Sequence, residues 1–146
     1  MAKRRGRRGV GGTLVLDAEG IVKLASGHPL VVSLAQDTYR AQAEIVTSAP
    51  TLAEVLRGGQ RDAPVHRVLS RVTVVPVREQ QGRAAGELLG RIGLSGHRCA
   101  LDALLAVIAM DQPRPIVLLT SDIEDMRQLT EEPGVPRAER IEVVRI

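Results

Sequence analysis

Residues 13–20 read TLVLDAEG. An apolar run breaks off at Asp17, and Glu19 follows two residues later. Such a run reads as a strand covered on both faces. A carboxylate at its end needs a hydrogen-bond donor, a cation or water. The pattern of apolar run followed by helical period recurs along the chain. Strands are predicted over 13–17, 44–48, 72–77, 116–120 and 141–146. Helices are predicted near 19–26, 29–41, 51–58, 62–71, 79–91, 96–111 and 122–130; in the sixth, Leu101, Leu104, Leu105 and Ile108 recur at helical spacing. This alternation predicts an α/β fold with three α/β/α layers around a mostly parallel central sheet of about five strands. Such sheets place ligands at the carboxyl ends of their strands.

Composition narrows the function classes. The 146 residues suit one domain. One Tyr and no Phe or Trp leave a core of Leu, Val, Ile and Ala. That argues against base-stacking RNA modules, which need aromatic platforms. The pI near 9.7 points toward nucleic acid. Its source is local, however, because without Lys3, Arg4, Arg5, Arg7 and Arg8 the formal charge falls from +3 to −2. Residues 1–12, MAKRRGRRGVGG, are read as a disordered basic arm, either a bland tail or a phosphate-binding extension. The single Cys99 allows no internal disulfide and fits a reducing, cytoplasmic setting. No window of 18 apolar residues exists, and the N-terminus lacks a signal-peptide core, so no membrane association is expected.

Four acids stand out. Asp17 alone reads as the N-cap of the helix after the first strand. Glu54 alone reads as the partner of Thr51 in a capping box, Thr51-x-x-Glu54. Asp122 follows the 116–120 strand and reads as a first-turn acid, with Ser121 as cap and Glu124 as capping-box partner; Asp125 lies one turn on. Asp102 differs. It falls inside a helix beginning near Ser95 or Gly96, beside a strongly apolar stretch, where Asp is a poor helix former and an unpartnered carboxylate is costly. Together the four carry more weight. In a parallel sheet Asp17 and Asp122 share the carboxyl edge, and Glu54 starts a helix there. Asp102 sits in the first half of a helix that runs back from the same edge. Four carboxylates cannot gather ionised without a cation. A hard divalent ion, Mg2+ or Mn2+, answers that need.

LVLDAEG, TLAEVLRG, ALDALLAVIA and LLTSDIEDM resemble, in order and at suitable spacing, the four acidic motifs of PIN domains. RVTVVPV and AAGELLGRIGL also resemble the middle of VapC-type members, and the likeness covers residues 13–146. It implies a PIN-like nuclease domain, a metal-dependent endoribonuclease that is usually the toxin of a type II toxin–antitoxin pair. By motif match Asp17, Glu54, Asp102 and Asp122 are the catalytic, metal-binding acids, and Asp125 is an auxiliary metal-site acid. The implied cofactor is Mg2+ or Mn2+, and the implied partners are an RNA substrate, an antitoxin protein and a second copy in a homodimer. Two features depart from the pattern: Glu19 stands where a small hydroxyl residue is common, and the basic arm is longer than usual. A catalytically inactive PIN-like module that binds RNA or protein is the alternative. Receiver domains and haloacid-dehalogenase phosphatases are set aside, because the only lysines are Lys3 and Lys23 and the first acidic stretch is Asp-Ala-Glu. His28, His66 and His97 have no His or Cys at ligand spacing and read as surface or cap residues.

Overall fold

The computed structural model describes residues 11–146. The basic arm expected over 1–12 thus lies, save for its last two glycines, outside the described residues. Five strands form one sheet: β1 (Thr13–Leu16), β2 (Glu44–Ser48), β3 (Thr73–Val75), β4 (Ile116–Thr120) and β5 (Glu142–Arg145). Every pairing is parallel, and the spatial order is β3-β2-β1-β4-β5. The helices are α1 (Ala18–Ala25), α2 (Pro29–Arg40), α3 (Leu52–Val55), α4 (Ala63–Leu69), α5 (Glu79–Ile92), α6 (Gly96–Met110) and α7 (Ile123–Leu129). The three-layer α/β/α fold read from the sequence is the fold observed.

Strand periodicity assigns the two faces. Leu14 and Leu16 of β1 point into one core with Ile21, Val31, Ala35, Ile45 and Leu119. Val15 points into the other, with Leu88, Leu105, Ala106, Ile116, Leu118 and Met126. β4 alternates the same way, with Ile116 and Leu118 on one face and Leu119 on the other. Helices α1, α2 and α4 therefore cover one face, and α5, α6 and α7 the other. Both faces being buried explains why β1 and β4 carry nearly continuous apolar runs. Each fully buried Leu or Ile contributes about 1.5–3 kcal/mol relative to exposure, so an aliphatic core of this extent suffices without aromatics. Among the described residues no single helix is long and apolar enough to cross a membrane.

The helix expected over 51–58 is the main departure. A 3-10 turn at Ala49–Thr51 precedes α3, which is only four residues long. Pro50 favours the tight turn, and the chain leaves the helix at Leu56, which has extended dihedrals. Two positive-φ glycines, Gly58 and Gly59, then reverse it. Buried Asp62 holds this reversal, accepting from the backbone N–H of Arg57 at 2.9 Å and of Gly58 at 2.6 Å.

Candidate active site

The chain steps from β1 outward through β2 to β3, then returns to the far side of β1 for β4. β1 and β4 thus flank the topological switch point, where open α/β sheets form a crevice at their carboxyl ends. Asp17 leaves β1 at this point and Asp122 lies two residues beyond β4. The Asp17 backbone N–H still donates to Leu119 in β4, which ties the two strand ends together.

Asp17 is 8% exposed and serves as the N-cap of α1, its Oδ1 accepting from Gly20 N at 2.8 Å. The capping role therefore holds, yet it occupies one oxygen's bond and leaves the carboxylate at the sheet edge. Gly20 lets α1 pack close, since a Cβ there would crowd Leu16 Cβ and Cδ2 at 3.2 Å and Leu16 would have to give by a few tenths of an ångström. Burial pushes the Asp17 carboxyl above its usual range, aided by the charge of Glu19. The Gly20 N–H, the Thr120 hydroxyl and the Ser121 N–H pull the other way.

Glu54 is not in a capping box. Thr51 has helical dihedrals and makes no cap bond; its hydroxyl instead pairs with Ser48 Oγ at 2.7 Å. Glu54 is free of that structural duty and exposed. Its carboxyl is raised by desolvation and then by the charge of Asp17. Asp122, not Ser121, caps α7, with Oδ1 accepting from Asp125 N at 3.4 Å. The Ser121–Glu124 capping box is absent because Thr120 takes the Asp122 N–H at 3.0 Å and turns the chain one residue later.

Asp102 sits half-buried in α6, which starts at Gly96 with Ser95 as cap. Its carboxyl is pushed up to about 6, first by burial, then by the charges of Asp17, Glu54, Asp122 and Asp125. All five acids singled out in the sequence therefore lie within electrostatic reach of one point. Asp125 is further engaged: Arg98 Nη2 stands 3.4 Å from its Oδ2, and Cys99 Sγ donates to the same oxygen at 3.6 Å. Glu19 is half-exposed and pairs loosely with Lys23 at 3.9 Å, in keeping with a solvent-facing role.

The donor chemistry fits a hard divalent cation, being all carboxylate oxygen. Among the described residues, no three acidic, histidine or cysteine side chains close around one point as metal ligands do. Carboxylates of like charge settle apart, and closure needs a cation's attraction. His28, His66 and His97 stand on the α1–α2 loop, α4 and α6 respectively.

Two contributors were not read from the sequence. Thr120 is fully buried, accepts from the Asp122 N–H and draws the Asp17 carboxyl downward. Its signal was available, since it is the hydroxyl that ends an otherwise apolar strand. Arg98 had no local signal; its partner is 27 residues away.

No family model matches the sequence, and no curated protein matches it. Solved structures do. A chain of VapBC2 from Rickettsia felis, bound to a DNA fragment from its promoter, superposes with a TM-score of 0.64 at 16% identity, covering 92% of this chain and 98% of that one. A chain of VapBC-1 from nontypeable Haemophilus influenzae gives 0.60 at 18%, covering 91% and 97%. A chain of a toxin–antitoxin complex from Klebsiella pneumoniae gives 0.58 at 19%, covering 90% and 95%. At these identities the likeness is one of fold. The PIN-like fold implied by the four acidic motifs is thus matched over nearly the whole described chain.

Proposed function

We propose that this protein is a Mg2+- or Mn2+-dependent endoribonuclease that hydrolyses RNA phosphodiester bonds as the toxin of a toxin–antitoxin pair. One observation carries the reading: Asp102, inside an apolar helix, stands within reach of Asp17, Glu54, Asp122 and Asp125 at the switch point of the sheet. A structural domain has no use for that concentration of charge. A bound divalent cation would supply a water of lowered pKa and neutralise charge on the phosphate.

The chain's own groups divide the work. Asp17 is fixed by Gly20 N–H and Thr120 and presents a pre-oriented carboxylate. Asp122 is fixed through its backbone at Thr120. Glu54, on a short exposed helix, is the adjustable member. Asp102 keeps its proton up to about 6, and an arriving positive charge would favour its release. The proteins that share this fold occur in toxin–antitoxin complexes, which supports an antitoxin partner here. A homodimer in the cytoplasm completes the proposal.

The test is Mn2+ binding by calorimetry together with cleavage of labelled RNA, on the wild type and on Asp102→Asn. The expected result is micromolar to millimolar binding by the wild type, weakened by about tenfold or more in the variant, with cleavage lost in the variant and in chelator. A wild type that binds no Mn2+ and leaves RNA intact defeats the proposal and leaves an inactive binding module.

A further inference from the structure

We infer that Arg98 is the residue that grips the RNA phosphate beside the acids, and that Asp125 is a positioning residue for Arg98 rather than a metal ligand. This rests on the ribonuclease reading above and goes beyond it by separating the roles of the five acids.

Arg98 and Asp102 are four residues apart in α6, so they share one face of the helix. Arg98 lies one turn nearer the open carboxyl edge, where an anionic strand must approach. Such a strand meets a cluster of carboxylates, and its phosphates need a cation on the approach side. Two other basic residues of this region are engaged. Arg57 folds back on α3, donating to the carbonyls of Ala53 and Leu56 at 2.8 Å. Lys23 is turned to Glu19.

Arg98 has one long contact at 3.4 Å, and its side chain is 72% exposed against 16% for Asp125. A guanidinium carries five N–H donors, so most of its fork is available for a bidentate phosphate contact. An ion pair this exposed adds little stability. Its consequence is orientation, with the arm held over the acids.

Asp125 is tied at both ends. Its backbone N–H donates to Asp122 Oδ1, and its Oδ2 receives both Arg98 and the Cys99 thiol, which come from consecutive residues of α6. Those two donors engage the carboxylate on its α6 side. Asp125 therefore couples Asp122, in the acid cluster, to Arg98, at its rim.

The experiment compares the full-length wild type with Arg98→Ala, Arg98→Lys and Asp125→Asn, using a fluorescein-labelled single-stranded RNA oligonucleotide. Anisotropy in chelator over a range of salt reads RNA binding without turnover; Mn2+ calorimetry and steady-state cleavage read the rest. Arg98→Ala is expected to raise KM by about tenfold with kcat nearly unchanged, and to lower the salt slope of RNA binding by about 0.7, one phosphate contact on a single strand. Arg98→Lys recovers the slope and part of the affinity, because it keeps the charge but not the fork. Asp125→Asn keeps Mn2+ affinity within about twofold and reproduces part of the KM rise; a ligand loss would instead weaken Mn2+ by about tenfold or more.

An unchanged salt slope in Arg98→Ala, or collapse of Mn2+ binding in Asp125→Asn, overturns the inference. If the wild type binds no Mn2+ and leaves RNA intact, the ribonuclease reading fails by itself, and the salt slope in chelator still decides the role of Arg98.

Discussion

The backbone N–H of Asp122 donates to the buried hydroxyl of Thr120 at 3.0 Å, and that same hydroxyl pulls the Asp17 carboxyl down against the effect of its burial. One side chain at the end of β4 thus fixes an acid on its own strand end and another on β1. Thr120→Val keeps the shape and removes the link. It leaves a donor and a partly desolvated carboxylate short of a partner, which costs about 1–3 kcal/mol. For a chain of this size that lowers Tm by roughly 3–9 °C. Thr120→Ser is expected to stay near the wild type. Thermal denaturation in chelator checks both, and equal Tm values for the Val and Ser variants would remove Thr120 from this role.

Asp102 makes stability depend on pH in a defined direction. Its folded carboxyl is held at about 6 against an ordinary value of 3.8. The folded state therefore holds this proton more tightly than the unfolded chain does. Ionised Asp102 costs stability above its folded pKa; the cost fades as pH falls through about 6 and is gone near the unfolded value. In chelator, Tm should rise by a few degrees between about pH 7.5 and pH 5, as far as this group governs it. Asp102→Asn should flatten that rise and exceed the wild type in Tm at the higher pH. Added Mn2+ should raise the wild-type Tm there by mass action and leave the variant little changed. A wild-type Tm that falls steadily over this range, with the Asn variant parallel to it, would place Asp102 outside the cluster.

The sequence carried the strands and the acids unequally. β1 and β4 were legible because burial on both faces leaves an unbroken apolar run, and the helix periods between them fixed the topology. Asp102 was legible because an acid inside an apolar helix has no structural reason. Asp17 allowed two readings, cap and functional acid, and the structure supports the first without weakening the second. Glu54 misled locally: Thr51-x-x-Glu54 has the spacing of a capping box, but Pro50 tightens the turn and sends Thr51 to Ser48. Thr120 and Arg98 were hidden because their importance comes from partners on other elements. Thr120 meets Asp17 across more than a hundred residues of chain, and no local window contains that.

Asp62 should act as a staple on the loop beside Glu54. Its carboxyl lies below the usual range because the N–H groups of Arg57 and Gly58 donate to it. That contribution is present above the unfolded pKa and lost as pH falls through the folded value. Asp62→Ala removes both bonds while leaving the sheet untouched. Amide exchange at Arg57 and Gly58, followed by nuclear magnetic resonance, should accelerate by about tenfold or more, with core amides of β1 and β4 unchanged. Uniform acceleration across the molecule would mean that Asp62 supports the global fold rather than this loop.

Gly12 and three glycines of α5 should respond in opposite senses to the same substitution. A Cβ at Gly12 would overlap the Pro115 backbone carbonyl, and backbone cannot move aside as a side chain does. Gly12→Ala should cost about 3 kcal/mol or more, because the entry to β1 is pressed against the start of β4, where Thr13 N donates to Pro115 O at 2.9 Å. Gly82, Gly86 and Gly90 lie on the exposed side of α5 at right-handed dihedrals, and a Cβ at any of them meets nothing within 4 Å. Each weakens the helix by about 0.8–1 kcal/mol relative to Ala. The triple Ala variant should therefore gain about 2–3 kcal/mol and roughly 6–9 °C in Tm. Chemical denaturation measures both changes on one scale. A triple variant less stable than the wild type would mean that this face of α5 packs closely against another molecule in solution, a result that sedimentation of the two proteins would then confirm or reject.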